Sequence, residues 1–72
     1  MNFYATLEYT NPGEAIVALF DETGEWCGAG RVAVRLGRRD DLYEEGYKIA
    51  SLSARSKGGR LDSYRTVEQR RK

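Results

Sequence analysis

Gly28-Ala29-Gly30-Arg31-Val32-Ala33 matches the G-x-G-x-x-A pattern with which dinucleotide-binding folds bring a pyrophosphate up to a helix N-terminus. The pattern works only where a strand passes into a helix. Here it runs on into the strand-like Val32-Ala33-Val34, so its small residues are better read as permitting a bulge or a close backbone approach near Trp26. Cys27 is the only cysteine, and there is no histidine to activate it; it reads as a small core residue rather than a nucleophile. The same counts exclude an internal disulfide framework and leave a zinc site without its usual ligands. Asp40, Asp41, Glu44 and Glu45 form an acidic group, as do Asp21 and Glu22, but neither has calcium-loop spacing. A domain this small has little concavity in which to desolvate a carboxylate pair for acid/base work. The expectation is a protein that is not an enzyme, with no metal, no cofactor and no small-molecule substrate.

Binding chemistry is the alternative, and charge distribution bears on it. The formal net charge is +1, yet residues 1–36 carry a net −3 and residues 37–72 a net +4. Such polarity orients a protein on a charged partner. Arg38, Arg39, Arg65, Arg70 and Arg71, with Tyr43, Tyr47 and Tyr64 nearby, could follow a nucleic-acid backbone and stack bases. The acids at 40, 41, 44 and 45 would repel phosphate, and the total charge is low for a dedicated nucleic-acid binder.

With 72 residues, of which 40% are hydrophobic, the chain has room for one domain with a small core. No stretch approaches the roughly 20 apolar residues of a membrane span, and the N-terminus lacks signal-peptide character. A soluble, cytoplasmic protein is expected. Phe3-Tyr4-Ala5-Thr6-Leu7-Glu8-Tyr9 alternates with period two and predicts a strand. Residues 10–14 read as a turn, and Ala15-Ile16-Val17-Ala18-Leu19-Phe20 as a second strand, apolar on both faces. Asp21-Glu22-Thr23-Gly24-Glu25 is a second turn, and Trp26 to Leu36 a third strand. Asp41-Leu42-Tyr43-Glu44 resembles a capping box, opening a helix over 41–57 with Glu44 and Lys48 as an i, i+4 pair and Gly58-Gly59 as its stop. Residues 47–55 could instead pair with 60–68 as a hairpin. Residues 60–72 hold Leu61, Tyr64 and Val67 among five bases and allow a helical turn or a short strand with a frayed tail.

The fold expected is α+β: a small three-stranded antiparallel meander packed on one helix in a single domain over 1–59, followed by a basic, flexible C-terminal segment, 60–72. Its core would hold Phe3, Leu7, Val17 or Ile16, Leu19 or Phe20, Val32, Val34, Leu36, Tyr47, Ile49 and Ala50. One helix cannot cover both faces of a sheet, so an apolar set of the second strand would remain open unless the C-terminal segment folds back over it through Leu61, Tyr64 and Val67. A surface left open in this way is a protein-binding or self-association site. Its candidate contacts are Tyr4, Ile16, Phe20 and Trp26, with Arg31 and Arg35 as rim charges; Trp26 has the competing reading of closing one end of the core.

The size of the chain, its opening Met1-Asn2-Phe3-Tyr4-Ala5-Thr6-Leu7-Glu8-Tyr9, its acidic hairpin and its arginine-rich end resemble those of small phage-encoded host-takeover proteins. They are most similar to early transcription regulators of lytic Xanthomonas phages that bind host RNA polymerase. The resemblance implies a partner in the largest polymerase subunit, shut-off of host initiation, an effect on termination, and residence in the cytoplasm of an infected bacterium. It assigns no role to any single residue. The reading from the residues alone keeps a nucleic-acid-binding or other host-protein-inhibiting module open beside it.

Overall fold

Alternating apolar residues and two short turns build the first half of the chain into adjacent antiparallel strands. The computed structural model describes residues 1–11, 13–33 and 39–67, with the backbone alone for Asn11, Arg39 and Asp40. Its elements are β1 (Asn2–Asn11), β2 (Glu14–Phe20), β3 (Trp26–Ala33), α1 (Arg39–Ser56) and β4 (Arg60–Val67). The β2–β3 turn is held by Asp21, whose Oδ1 accepts from the Thr23 and Glu25 amides at 2.9 and 3.0 Å and from the Thr23 hydroxyl. Those three donors hold the Asp21 carboxyl below its usual value, the Thr23 hydroxyl most of all.

The sheet has four strands in the order β3-β2-β1-β4. β1 and β4 run parallel, and the other two pairings are antiparallel. This corrects the expected three-stranded antiparallel meander: Arg60–Val67 is a strand of a mixed sheet, not a tail. It lies beside β1 because α1 crosses the sheet from the end of β3 and returns the chain on the opposite edge, where the β1 backbone groups still lack partners. The same pairing removes the hairpin alternative for 47–68.

α1 begins at Arg39, so Asp41 lies inside its first turn and does not cap it as expected. The ion pair on its surface joins Lys48 to Glu45 at 3.5 Å rather than to Glu44, and at this exposure it adds little. The end of the helix follows the reading at Gly58-Gly59. The Gly58 amide donates to Arg55 O and the Gly59 amide to Ala54 O, both at 3.0 Å, which is a Schellman cap with Gly58 left-handed.

The buried core is Phe3, Ala5, Leu7, Ala15, Val17, Leu19, Val32, Leu42, Ala50 and Ala54. Val17 and Leu19 therefore face inward, and Ile16 and Phe20 outward. Tyr47, expected in the core, is 50% exposed. The helix meets the sheet along Leu42 and the small residues Gly46, Ala50 and Ala54, a narrow stripe spaced four apart, and Tyr47 lies beside this stripe. Ile49, also expected in the core, is half-buried against it, and Val34 and Leu36 lie outside the described residues.

Gly46 explains the close approach. A Cβ there would meet the Tyr64 hydroxyl, Leu7 Cδ1 at 2.8 Å and Val17 Cγ2 at 3.0 Å. Gly46→Ala gains about 1 kcal/mol of helix propensity but forces apart packed groups from three strands, at a cost of about 1–3 kcal/mol. A lower urea midpoint for Gly46→Ala is the expected result, and a higher one would show that the helix has room to move away.

Candidate functional site: the open face of the sheet

α1 lies on one side of the sheet, and the other side has no covering element among the described residues. Strand register arranges that open side in rows. Ser63, Tyr4, Phe20 and Trp26 form one row across β4, β1, β2 and β3. Arg65, Thr6, Ala18 and Ala29 form the next, and Val67, Glu8, Ile16 and Arg31 the third. Trp26 is 62% exposed, Ile16 40% and Tyr4 36%, while Phe20 between its two aromatic neighbours is half-buried. Trp26 therefore does not close the core. Val67 extends this face at the β4 edge rather than folding over it.

A bulge in β3 makes the first row possible. Trp26 and Arg31 are five residues apart, so strict alternation would put them on opposite faces. The register shifts by one residue between Leu19 opposite Gly28 and Phe20 opposite Trp26. Cys27 is the extra residue, and Gly28 takes the positive φ of 135° that the irregularity requires. The rephasing brings Trp26 onto the same side as Arg31. The glycine pattern that formally matched a nucleotide fingerprint is thus part of a strand, with no helix N-terminus following Gly30. Cys27 is half-buried, and its thiol lies 3.4 Å from Glu25 O.

Five of the six residues singled out from the sequence, Tyr4, Ile16, Phe20, Trp26 and Arg31, share this face; Arg35 lies outside the described residues. Of the arginines proposed for nucleic acid, Arg65 is exposed on the same face. Arg39 is at the start of α1, with its side chain outside the description, and Arg38, Arg70 and Arg71 also fall outside it. Thr6, Glu8 and Val67 complete the surface and were missed: Glu8 and Thr6 read as ordinary outward residues of a strand, and Val67 could be placed only once β4 was paired. Taken flat, four strands about 4.8 Å apart and seven residues long cover roughly 400 Å². That matches a large functional patch on a monomer but is about half the area one partner contributes to a standard interface. A docked macromolecule would therefore also reach the acidic turn at 21–25 or the β4 edge.

On the opposite side, three tyrosines tie β4 to the helix. The Tyr64 ring lies 4.8 Å from that of Tyr43 and 5.5 Å from that of Tyr47, both inclined, and its hydroxyl donates to Tyr43 O at 2.8 Å. Burial, and then the charges that Tyr43 and Tyr9 carry when ionised, push the Tyr64 hydroxyl up to about 12. Among the described residues, no three His, Cys, Asp or Glu side chains are grouped to hold a metal ion, and no helix is long and apolar enough to cross a membrane. Comparison with protein-family models, curated proteins and solved structures gave no match.

The unfolded chain ionises Tyr64 near the ordinary tyrosine value of about 10, whereas the folded one keeps the proton up to about 12. Folding stability should therefore fall as pH rises through that window and level off above it. Tyr64→Phe should cost about 1 kcal/mol at neutral pH through the lost hydrogen bond and flatten the alkaline decline. Urea midpoints measured from neutral pH to above pH 12 check both effects, and an unchanged alkaline slope in the variant would contradict them.

Proposed function

We propose that this protein acts by binding alone, as a phage regulator that docks host RNA polymerase through the open face of its sheet and inhibits initiation, with antitermination as a further effect. The observation that supports it is the outward-facing row Tyr4, Phe20 and Trp26 with Ile16 below, bordered by Arg31 and Arg65. Aromatic and arginine side chains carry most of the energy in protein interfaces, and an apolar centre holds its partner when salt screens the rim. The likeness of the chain to polymerase-binding phage regulators supplies the partner, in its largest subunit, and the setting, the cytoplasm of an infected bacterium.

A second reading has its own observation. Arg31 and Arg65 share a face with the aromatic row, the combination that holds single-stranded nucleic acid by stacking and phosphate contact. Glu8 and Glu14 on that face, and the acidic turn next to Trp26, weigh against it because they repel phosphate.

Pull-down of bacterial RNA polymerase by the tagged protein, with nuclease present and in moderate salt, separates the two readings. Retention of polymerase is the expected outcome. Trp26→Ala should keep the fold, losing no more than about 1 kcal/mol of cross-strand pairing, yet weaken polymerase binding by about 2 kcal/mol or more. Arg31→Glu should weaken it with the amide spectrum still dispersed. Capture that vanishes with nuclease and falls steeply with salt would favour the nucleic-acid reading.

A further inference from the structure

β3 is an edge strand: it pairs with β2 on one side, and no described residue pairs with it on the other. Its residues, Trp26–Ala33, include one charge, Arg31. The opposite edge is protected differently. Each edge has one irregularity in its ladder, at Asp62 in β4 and at Cys27 in β3, but β4 also carries three charges, Arg60, Asp62 and Arg65, and edge charges discourage strand addition. The two edges of the sheet are thus unequal, and β3 is the one open to pairing.

A cleft runs beside the same strand. On the helix side, Gly28 and Gly30 have no side chains to fill the space between β3 and α1. A cleft of about 190 Å³ remains there, floored by Val17, Leu19, Ile49 and Ala50 and edged by Ser53 and Lys57. At about 30 Å³ per water-sized group, it holds roughly six such groups, enough for one leucine-sized side chain and part of another. Among the described residues, Lys57 is the only charged one lining it, and none of them forms an ion pair with Lys57.

We propose that the β3 edge takes an extended peptide segment of a partner protein as a fifth strand, seating an apolar side chain of that segment in the cleft over Gly30 and a carboxylate two residues along it near Lys57. In strand addition, main-chain hydrogen bonds supply affinity and pockets for alternate side chains supply specificity. Successive side chains on one face of the incoming strand are two residues apart, which is the spacing of Gly28 and Gly30. Charge identifies the occupant: Lys57 calls for an acid, and a second copy pairing through its own β3 brings none, since Trp26–Ala33 contains no Asp or Glu. A helical ligand would leave the edge amides and carbonyls unpaired. This surface is distinct from the open face and would stand even if the polymerase reading failed.

Selection of a random heptapeptide library on the immobilised full-length protein tests the proposal. Enrichment of β-branched sequences with an apolar-x-acidic pattern is expected. A synthetic peptide of the enriched sequence should bind Gly30→Val at least tenfold more weakly. Gly30→Ala guards against a folding failure, because its new methyl meets Ile49 Cγ2 at 3.7 Å, an ordinary contact; it should show a smaller loss with an unchanged amide spectrum. Lys57→Glu should weaken the peptide and bind better when the peptide acid is replaced by lysine. Lack of enrichment, or binders that survive Gly30→Val and are lost in Ile16→Glu, would overturn the proposal, as would a dimer that Gly30→Val dissociates.

Discussion

A single helix can bury only one face of a four-stranded sheet, and the other features of this molecule follow from that limit. The helix approaches through Gly46, Ala50 and Ala54, so its side chains cover little area and the sheet supplies most of the core through Phe3, Leu7, Val17, Leu19 and Val32. Tyr64 compensates at the β4 side, filling the space beside Gly46 and donating its hydroxyl to the Tyr43 carbonyl. At the β3 side nothing equivalent is present among the described residues, because Gly28 and Gly30 leave the cleft unfilled. Among the described residues the packing is therefore tight at one edge, loose at the other, and absent over the outward face.

Local signals account for the parts of this arrangement that were legible in the sequence. Alternation in 3–9 placed β1, the Asp21-to-Glu25 segment placed a turn, and Gly58-Gly59 placed the end of the helix. β4 was legible only as one of two options, a short strand or a helical turn, because Arg60–Val67 has only Leu61, Tyr64 and Val67 to mark it, and its parallel pairing with β1 is non-local. Tyr47 differs from the core position expected for it because the helix contact narrows to a stripe through Leu42, Gly46, Ala50 and Ala54, with Gly46 as the point of closest approach. Asp41 as a cap failed because α1 starts two residues earlier.

The candidate surface was legible by residue type more than by position. Tyr4, Ile16 and Phe20 follow from alternation once Val17 and Leu19 are known to face the helix. Trp26 does not, since its place beside Phe20 depends on the extra residue at Cys27. The bulge thereby does two things: it extends the aromatic row to the edge of the sheet and leaves glycine on the helix side of β3. A pattern with the appearance of a cofactor motif is, in this fold, what shapes both the open face and the neighbouring cleft.

Photo-crosslinking tests most directly whether the open face is where the protein meets its partner. A benzophenone amino acid replacing Ile16 sits on that face, and the same group replacing Leu52, which is 64% exposed on the helix, serves as its counterpart on the far side. Mixed with bacterial RNA polymerase and irradiated, the position 16 derivative should crosslink to the largest subunit and the position 52 derivative should not. Crosslinking from position 52 with none from position 16, both proteins being folded, would contradict an open-face interface.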